Sequence, residues 1–161
     1  MNVMKKSVIA KILMLAVLSA VILTGCGGKK KAEVNVDVKA LAAELNQTVT
    51  GDTLTQAAAE MIKNVYYLDD DSFAAGDAYW SDGTTACEIA VIECKDASKT
   101  EGVSEKFKTR VSSQKDLYSS YNPAEASRLD TAIVKTAGKY AVLAVVDDTA
   151  KAEEILKKAG F

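Results

Sequence analysis

The side chains of this 161-residue sequence that could do chemistry are few, because it contains no histidine. That removes Ser–His–Asp and Cys–His nucleophilic sites and any histidine-ligated zinc. Cys87 and Cys94 share one strand-like run, Ala86–Cys94. Their seven residue steps at about 3.3 Å place the Cα atoms ~23 Å apart, against the roughly 4.4–6.8 Å that a disulfide spans. They are expected as two free, mostly buried thiols. Asp69, Asp70 and Asp71, with Asp77 beyond, offer oxygens that suit calcium. They lack the alternating spacing, central glycine and terminal glutamate of an EF-hand loop, so a solvated turn is expected and no metal is assigned. Tyr66, Tyr67, Tyr79 and Trp80 flank that turn in sequence. Tyr79 and Trp80 are candidate residues of an aromatic platform for a glycan or peptide, with ordinary core packing as the competing reading. Gln114, Tyr121 and Glu125 are candidates for lining a pocket at a corner between helices, against a hydrogen-bonded structural corner. Nothing fixes two carboxylates at the separation of about 5–9 Å that glycoside hydrolysis uses. No catalytic residue and no cofactor are assigned.

The third cysteine has a different setting. Met1 to Lys11 carries Lys5, Lys6 and Lys11 and no acid, and Ile12–Leu23 is apolar apart from Ser19. A basic start, an apolar run and small residues before a cleavage point describe a secretory signal. The run is short of the roughly 20 residues of a spanning helix unless it is counted back across Lys11. Leu23-Thr24-Gly25-Cys26 resembles the lipobox of bacterial lipoproteins, in which the cysteine is lipidated and becomes the first mature residue. Residues 1–25 therefore read as a signal peptide, and 26–35 as a lipidated Cys26 with a flexible basic linker. Two acyl chains are enough for stable anchoring, and Lys29, Lys30 and Lys31 would lie beside the headgroups. The expected location is the outer face of the cytoplasmic membrane.

Composition narrows the partners. The formal net charge is −2, and losing three lysines with the signal makes the mature part more acidic. Nucleic acid is excluded as a partner, because phosphate binding needs a concentrated basic surface. Residues 36–161 hold one proline and no low-complexity block, which fits a single domain large enough for a real core.

The elements that must position these residues follow from periodicity. Apolar positions at helical spacing predict helices over 38–47 and 54–67. Ala78-Tyr79-Trp80 reads as a short strand and Ala86–Cys94 as a clear one, apolar on both faces apart from Glu88 and Glu93. A long helix is predicted over 98–120. Asn122-Pro123-Ala124-Glu125 has the form of a helix start, with Asn122 as cap and Glu125 at the third position. Ala132–Val134 and Tyr140–Val146 flank Gly138-Lys139 as a hairpin, and a final helix ends near Ala159. The expectation is an α+β fold, a mainly antiparallel four-stranded sheet with helices packed on one face. The order suggests a ββα unit used twice.

This pattern resembles an uncharacterised family of lipoproteins and membrane-anchored proteins of Gram-positive anaerobes, the domain of unknown function 4358. The matching features are Glu88-Ile89-Ala90-Val91 with Lys95-Asp96, Gln114, and the Tyr121–Glu125 corner. Gly138-Lys139-Tyr140 and Asp147-Asp148 also match. One departure stands out: Tyr66-Tyr67-Leu68 lacks the glycine expected after the tyrosine that ends the second helix. The resemblance implies a lipid-anchored extracytoplasmic domain and supplies no activity. Two functions follow as expectations. The first is a non-catalytic module binding a peptide, protein or envelope polymer at the cell surface. The alternative is a carboxylate-dependent enzyme acting on envelope material.

Overall fold

A computed structural model describes residues 34–161; the signal-like segment, Cys26 and nearly all of the linker lie outside them. Helix α1 spans Val38–Asn46, and the Asp37 carboxylate accepts from the Lys39 and Ala40 N–H groups at 3.0 and 3.1 Å. This satisfies donors that a helix start leaves open. Val38, Leu41, Ala42 and Leu45 form its buried stripe.

The second predicted helix is shorter than expected. Thr55–Gln56 is a strand, β1, and helix α2 covers only Ala59–Val65. The reason is that Leu54 and Ile62 are buried in different layers, which no single helix face could reach. Strand β2 runs Phe73–Trp80 rather than starting at Ala78. Its first half is disguised by small residues, of which Gly76 lies under close-packed side chains. A Cβ there would stand 2.7 Å from Ile92 Cδ1 and 2.9 Å from Phe73 Cε2. Strand β3 is Glu88–Cys94. A 3-10 turn at Ala97–Lys99 leads into helix α3, Thr100–Ser119, and helix α4 is Pro123–Arg128. Strands β4, Ile133–Ala137, and β5, Tyr140–Val145, close through a two-residue turn with Gly138 at φ 54°. Glycine takes that conformation without strain. Helix α5, Thr149–Ala159, ends the fold.

The α+β expectation holds, with two corrections. The sheet has five antiparallel strands in the order β1-β2-β3-β5-β4, the extra one being β1 at the edge. Helices cover both faces rather than one. Ile89, Val91, Val142 and Ala144 pack against α1 and α5. Ala90, Ile92, Leu143 and Val145 face α3 and α4, with Ile62 of α2 beside them. A sheet that is apolar on both sides must be covered twice.

The chain order does run ββα twice, yet the two units differ in hand. With its helix towards the observer and its second strand pointing up, each unit has its first strand on the opposite side from the other's. Superposable units meeting at β3 and β5 would put both helices on one face.

Cys87 and Cys94 are free and buried. They face opposite layers of the sheet, as an odd separation along a strand requires. Burial pushes both thiols up.

Asn122 does not cap as expected: its side chain makes no hydrogen bond to the start of α4. The capping-box partner is committed elsewhere, because Glu125 is buried and accepts from the Ala86 N–H at 2.8 Å.

Candidate functional site

Glu88 opens β3 inside an apolar layer and is 6% exposed. A carboxylate in that position needs partners. The Tyr66 hydroxyl donates to Glu88 Oε1 at 2.6 Å, and Arg110 Nε donates to the same oxygen at 2.6 Å. Arg110 also stacks over the Tyr66 ring, with Cζ 5.6 Å from its centroid. Tyr66 is held from its other sides by Trp80 and Phe107, at centroid distances of 5.9 and 5.1 Å. Burial, and then the Glu88 charge, push the Tyr66 phenol well above its usual 10.0, so it stays a donor. The outcome is a rigid floor beneath an open groove.

The groove lies between the end of α2 and the outer side of α3, with a volume of about 580 Å³. Asn64, Tyr66 and Tyr67 form one wall; Lys106, Arg110 and Gln114, spaced four apart on α3, line the other. Of the two faces this helix presents, the apolar stripe of Val103, Phe107 and Tyr118 faces the sheet. The polar stripe beside it faces the groove. A smaller cleft of about 210 Å³ also borders Arg110 and Gln114, on the side of Trp80 and Tyr118.

Tyr67 sets the rim. It is 82% exposed, and its φ of 53° is the only positive value at a non-glycine among the described residues. The cause is the way α2 stops. The Leu68 N–H donates to the Lys63 carbonyl at 2.8 Å, and the Tyr67 N–H to the Asn64 carbonyl at 3.3 Å. This closure places a left-handed residue at the position where glycine is usual. The strain costs about 1 kcal/mol or more for a residue with a side chain. Tyr67→Gly should therefore raise the unfolding free energy by roughly 0.5–1 kcal/mol, after the added freedom of the unfolded chain is subtracted. A urea midpoint that stays put or falls would count against the strain. Lys106 donates to the Tyr67 carbonyl and pairs with Asp69 Oδ2 at 3.0 Å, tying the rim to α3.

The residues selected from sequence are scattered by the fold. Tyr79 packs on the α1 side of the sheet and Trp80 on the α3 side, so they form no common platform. Tyr121 is 58% exposed and stacks on Tyr118 at 5.2 Å. Gln114 lines both clefts, while Glu125 is turned inward. The three do not share a pocket. Asp69 and Asp70 pair with Lys106 and Lys63 on the surface. Asp77 instead accepts from Gln56 Nε2 at 3.0 Å, buried on β2. Among the described residues no three metal-binding side chains converge.

A second polar network braces the same end of the sheet, where β3 begins and β5 ends. Arg128 donates to Glu125 at 2.9 Å and to Asp147. Asp147 Oδ2 accepts from the Thr50 and Gly51 N–H groups at 2.6 and 2.9 Å. Burial works against the Asp147 carboxylate, but these N–H groups and Arg128 outweigh it and bring its pKa from 3.8 to about 2. A carboxyl depressed on folding stabilises the fold above its unfolded pKa and loses that effect as pH falls. The difference in unfolding midpoint between the protein and Asp147→Asn should thus shrink between pH 4 and about 2. A constant difference over that window would refute the assignment. This network is a structural brace.

The molecule is thus a five-stranded antiparallel α+β domain, helices on both faces, with an aromatic-rimmed groove beside an arginine. A family model described as Domain of unknown function (DUF4358) matches residues 47–146, more than half of the chain, and the chain belongs to that family. The match runs from the end of α1 through β5 and contains every residue of the groove. No curated protein and no solved structure matches the chain.

Proposed function

We propose that the protein is a lipoprotein anchored through Cys26 outside the cytoplasmic membrane, and that its domain is a non-catalytic binding module. The groove between α2 and α3 is its ligand face. The observation that carries this reading is Tyr67, an exposed aromatic held at φ 53° on the rim of the groove. Strain of this kind persists where the residue serves something other than stability. The groups behind the rim support binding over proton transfer: Glu88 is held by two donors, and Tyr66 is kept protonated.

A photo-crosslinking residue at Ser113, beside the groove, should capture a defined partner in intact cells. The same residue at Glu154, exposed on α5, should not, and Tyr67→Gly should abolish the Ser113 adduct. Equal labelling from both positions, or an adduct indifferent to Tyr67→Gly, would sink the groove as ligand face. Cys26→Ala should release the protein from membranes or leave it unprocessed. Unchanged fractionation would remove the anchor from the proposal.

A further inference from the structure

We infer that the groove takes a carboxylate-bearing peptide, with the outer edge of the Arg110 guanidinium as the fork for its carboxylate. This rests on the groove being a ligand face and specifies what it binds. Arg110 gives only Nε to Glu88. Its two Nη groups bond to no described carboxylate or carbonyl, and no buried side-chain nitrogen or oxygen there lacks a partner. The Nη edge is therefore open to water, on a side chain that lines both the groove and the smaller cleft beside it. Two parallel N–H groups on a planar fork match a carboxylate bidentately. Glu88 and the Tyr66 ring fix the plane of that fork in advance, so little order remains to be imposed on binding.

Electrostatics select among anions. Arg110 already faces Glu88, and Lys106 already faces Asp69. The groove is rich in donors but close to neutral. That suits a single carboxylate and disfavours a polyphosphate or other polyanion, which draws on net positive charge. The remaining groups fit a peptide backbone. The carboxamides of Asn64 and Gln114 bond to no described side chain or backbone group, and each offers both a donor and an acceptor. Tyr67 on the rim is placed to cover a neighbouring apolar side chain. The volume of about 580 Å³ holds a few residues rather than a folded partner.

The test is calorimetric titration of the full-length protein in detergent with three blocked tripeptides. One carries a side-chain carboxylate (acetyl-Ala-Tyr-Asp-amide), one a terminal carboxylate (acetyl-Ala-Tyr-Ala acid), and the control carries none (acetyl-Ala-Tyr-Asn-amide). At least one of the first two should bind about tenfold more tightly than the control, as loss of a bidentate charged contact implies. Which one does so identifies the source of the carboxylate. Gln114→Ala should weaken that binding several-fold with the melting midpoint unchanged, and Arg110→Lys should weaken it about tenfold or more. Three equal affinities, no binding at millimolar peptide, or affinities indifferent to both substitutions would overturn the inference. Crosslinking from Ser113 is scored separately, so a failed ligand class is distinguishable from a failed ligand face.

Discussion

Glu88→Ala is expected to lower the unfolding free energy by about 3 kcal/mol, as removing one partner of a buried ion pair does. The carboxylate lies where β3 pairs with both β2 and β5, so its loss cannot be absorbed by moving an edge strand. Two groups are stranded. The Tyr66 hydroxyl, on a residue 1% exposed, loses its acceptor, which costs roughly 1–3 kcal/mol for an unsatisfied buried donor. Arg110 loses its counter-charge but keeps a quarter of its side chain in water, and that exposure holds the total to the lower end of the range. Glu88→Gln separates the contributions. It keeps an acceptor for Tyr66 and removes the charge, so about half the loss should remain. Urea unfolding of the three proteins at neutral pH decides the matter. A loss below about 1 kcal/mol for Glu88→Ala would mean that the buried pair does not hold the layer together.

Much of this architecture was legible from the chain. Strands β3 and β5 are apolar at every position but Glu88 and Glu93, and the hairpin at Gly138-Lys139 stands where the turn residues put it. Helices were expected on one face only, although two-sided apolarity calls for cover on both, because alternate residues of a strand point opposite ways. That rule likewise separates Tyr79 from Trp80. Strand β1 left no pattern: two residues, both exposed, are ordered only by pairing with β2. Of the groove, Gln114 was selected and Arg110 was missed. A signal for Arg110 did exist, since the chain has only two arginines, Arg110 and Arg128, and they pair with the two glutamates buried among the described residues, Glu88 and Glu125. Planar, permanently charged guanidinium groups are suited to such buried pairs. Which arginine meets which glutamate depends on how α3 crosses the sheet, and no local spacing encodes that. Tyr67 was visible as a departure from the expected glycine. Its left-handed backbone follows from the way α2 ends, in which the Leu68 N–H reaches back to Lys63.

Phe107→Ala is expected to cost about 3–5 kcal/mol, the usual range for deleting a large core aromatic. Phe107 is fully buried and meets Tyr66 edge to face, at 5.1 Å and 80°. Collapse into the space is restricted, because Phe107 sits in the buried layer between α3 and the sheet. The consequence that matters for the groove is positional. Tyr66 is the surface on which Arg110 stacks, and Phe107, with Trp80, keeps that ring in place. Peptide affinity should therefore fall with Phe107→Ala even at temperatures where the variant remains folded. Leu156→Ala gives the comparison. It removes a fully buried side chain from α5, in the layer across the sheet from the groove, at a similar cost of about 2–5 kcal/mol. It should leave peptide affinity intact. Phe107→Ala and Glu88→Ala should also combine to less than the sum of their separate costs, since each removes support from Tyr66 and residues in one network are not independent. Equal loss of affinity in Phe107→Ala and Leu156→Ala, with strict additivity between Phe107→Ala and Glu88→Ala, would show that Phe107 contributes bulk stability without positioning the arginine fork.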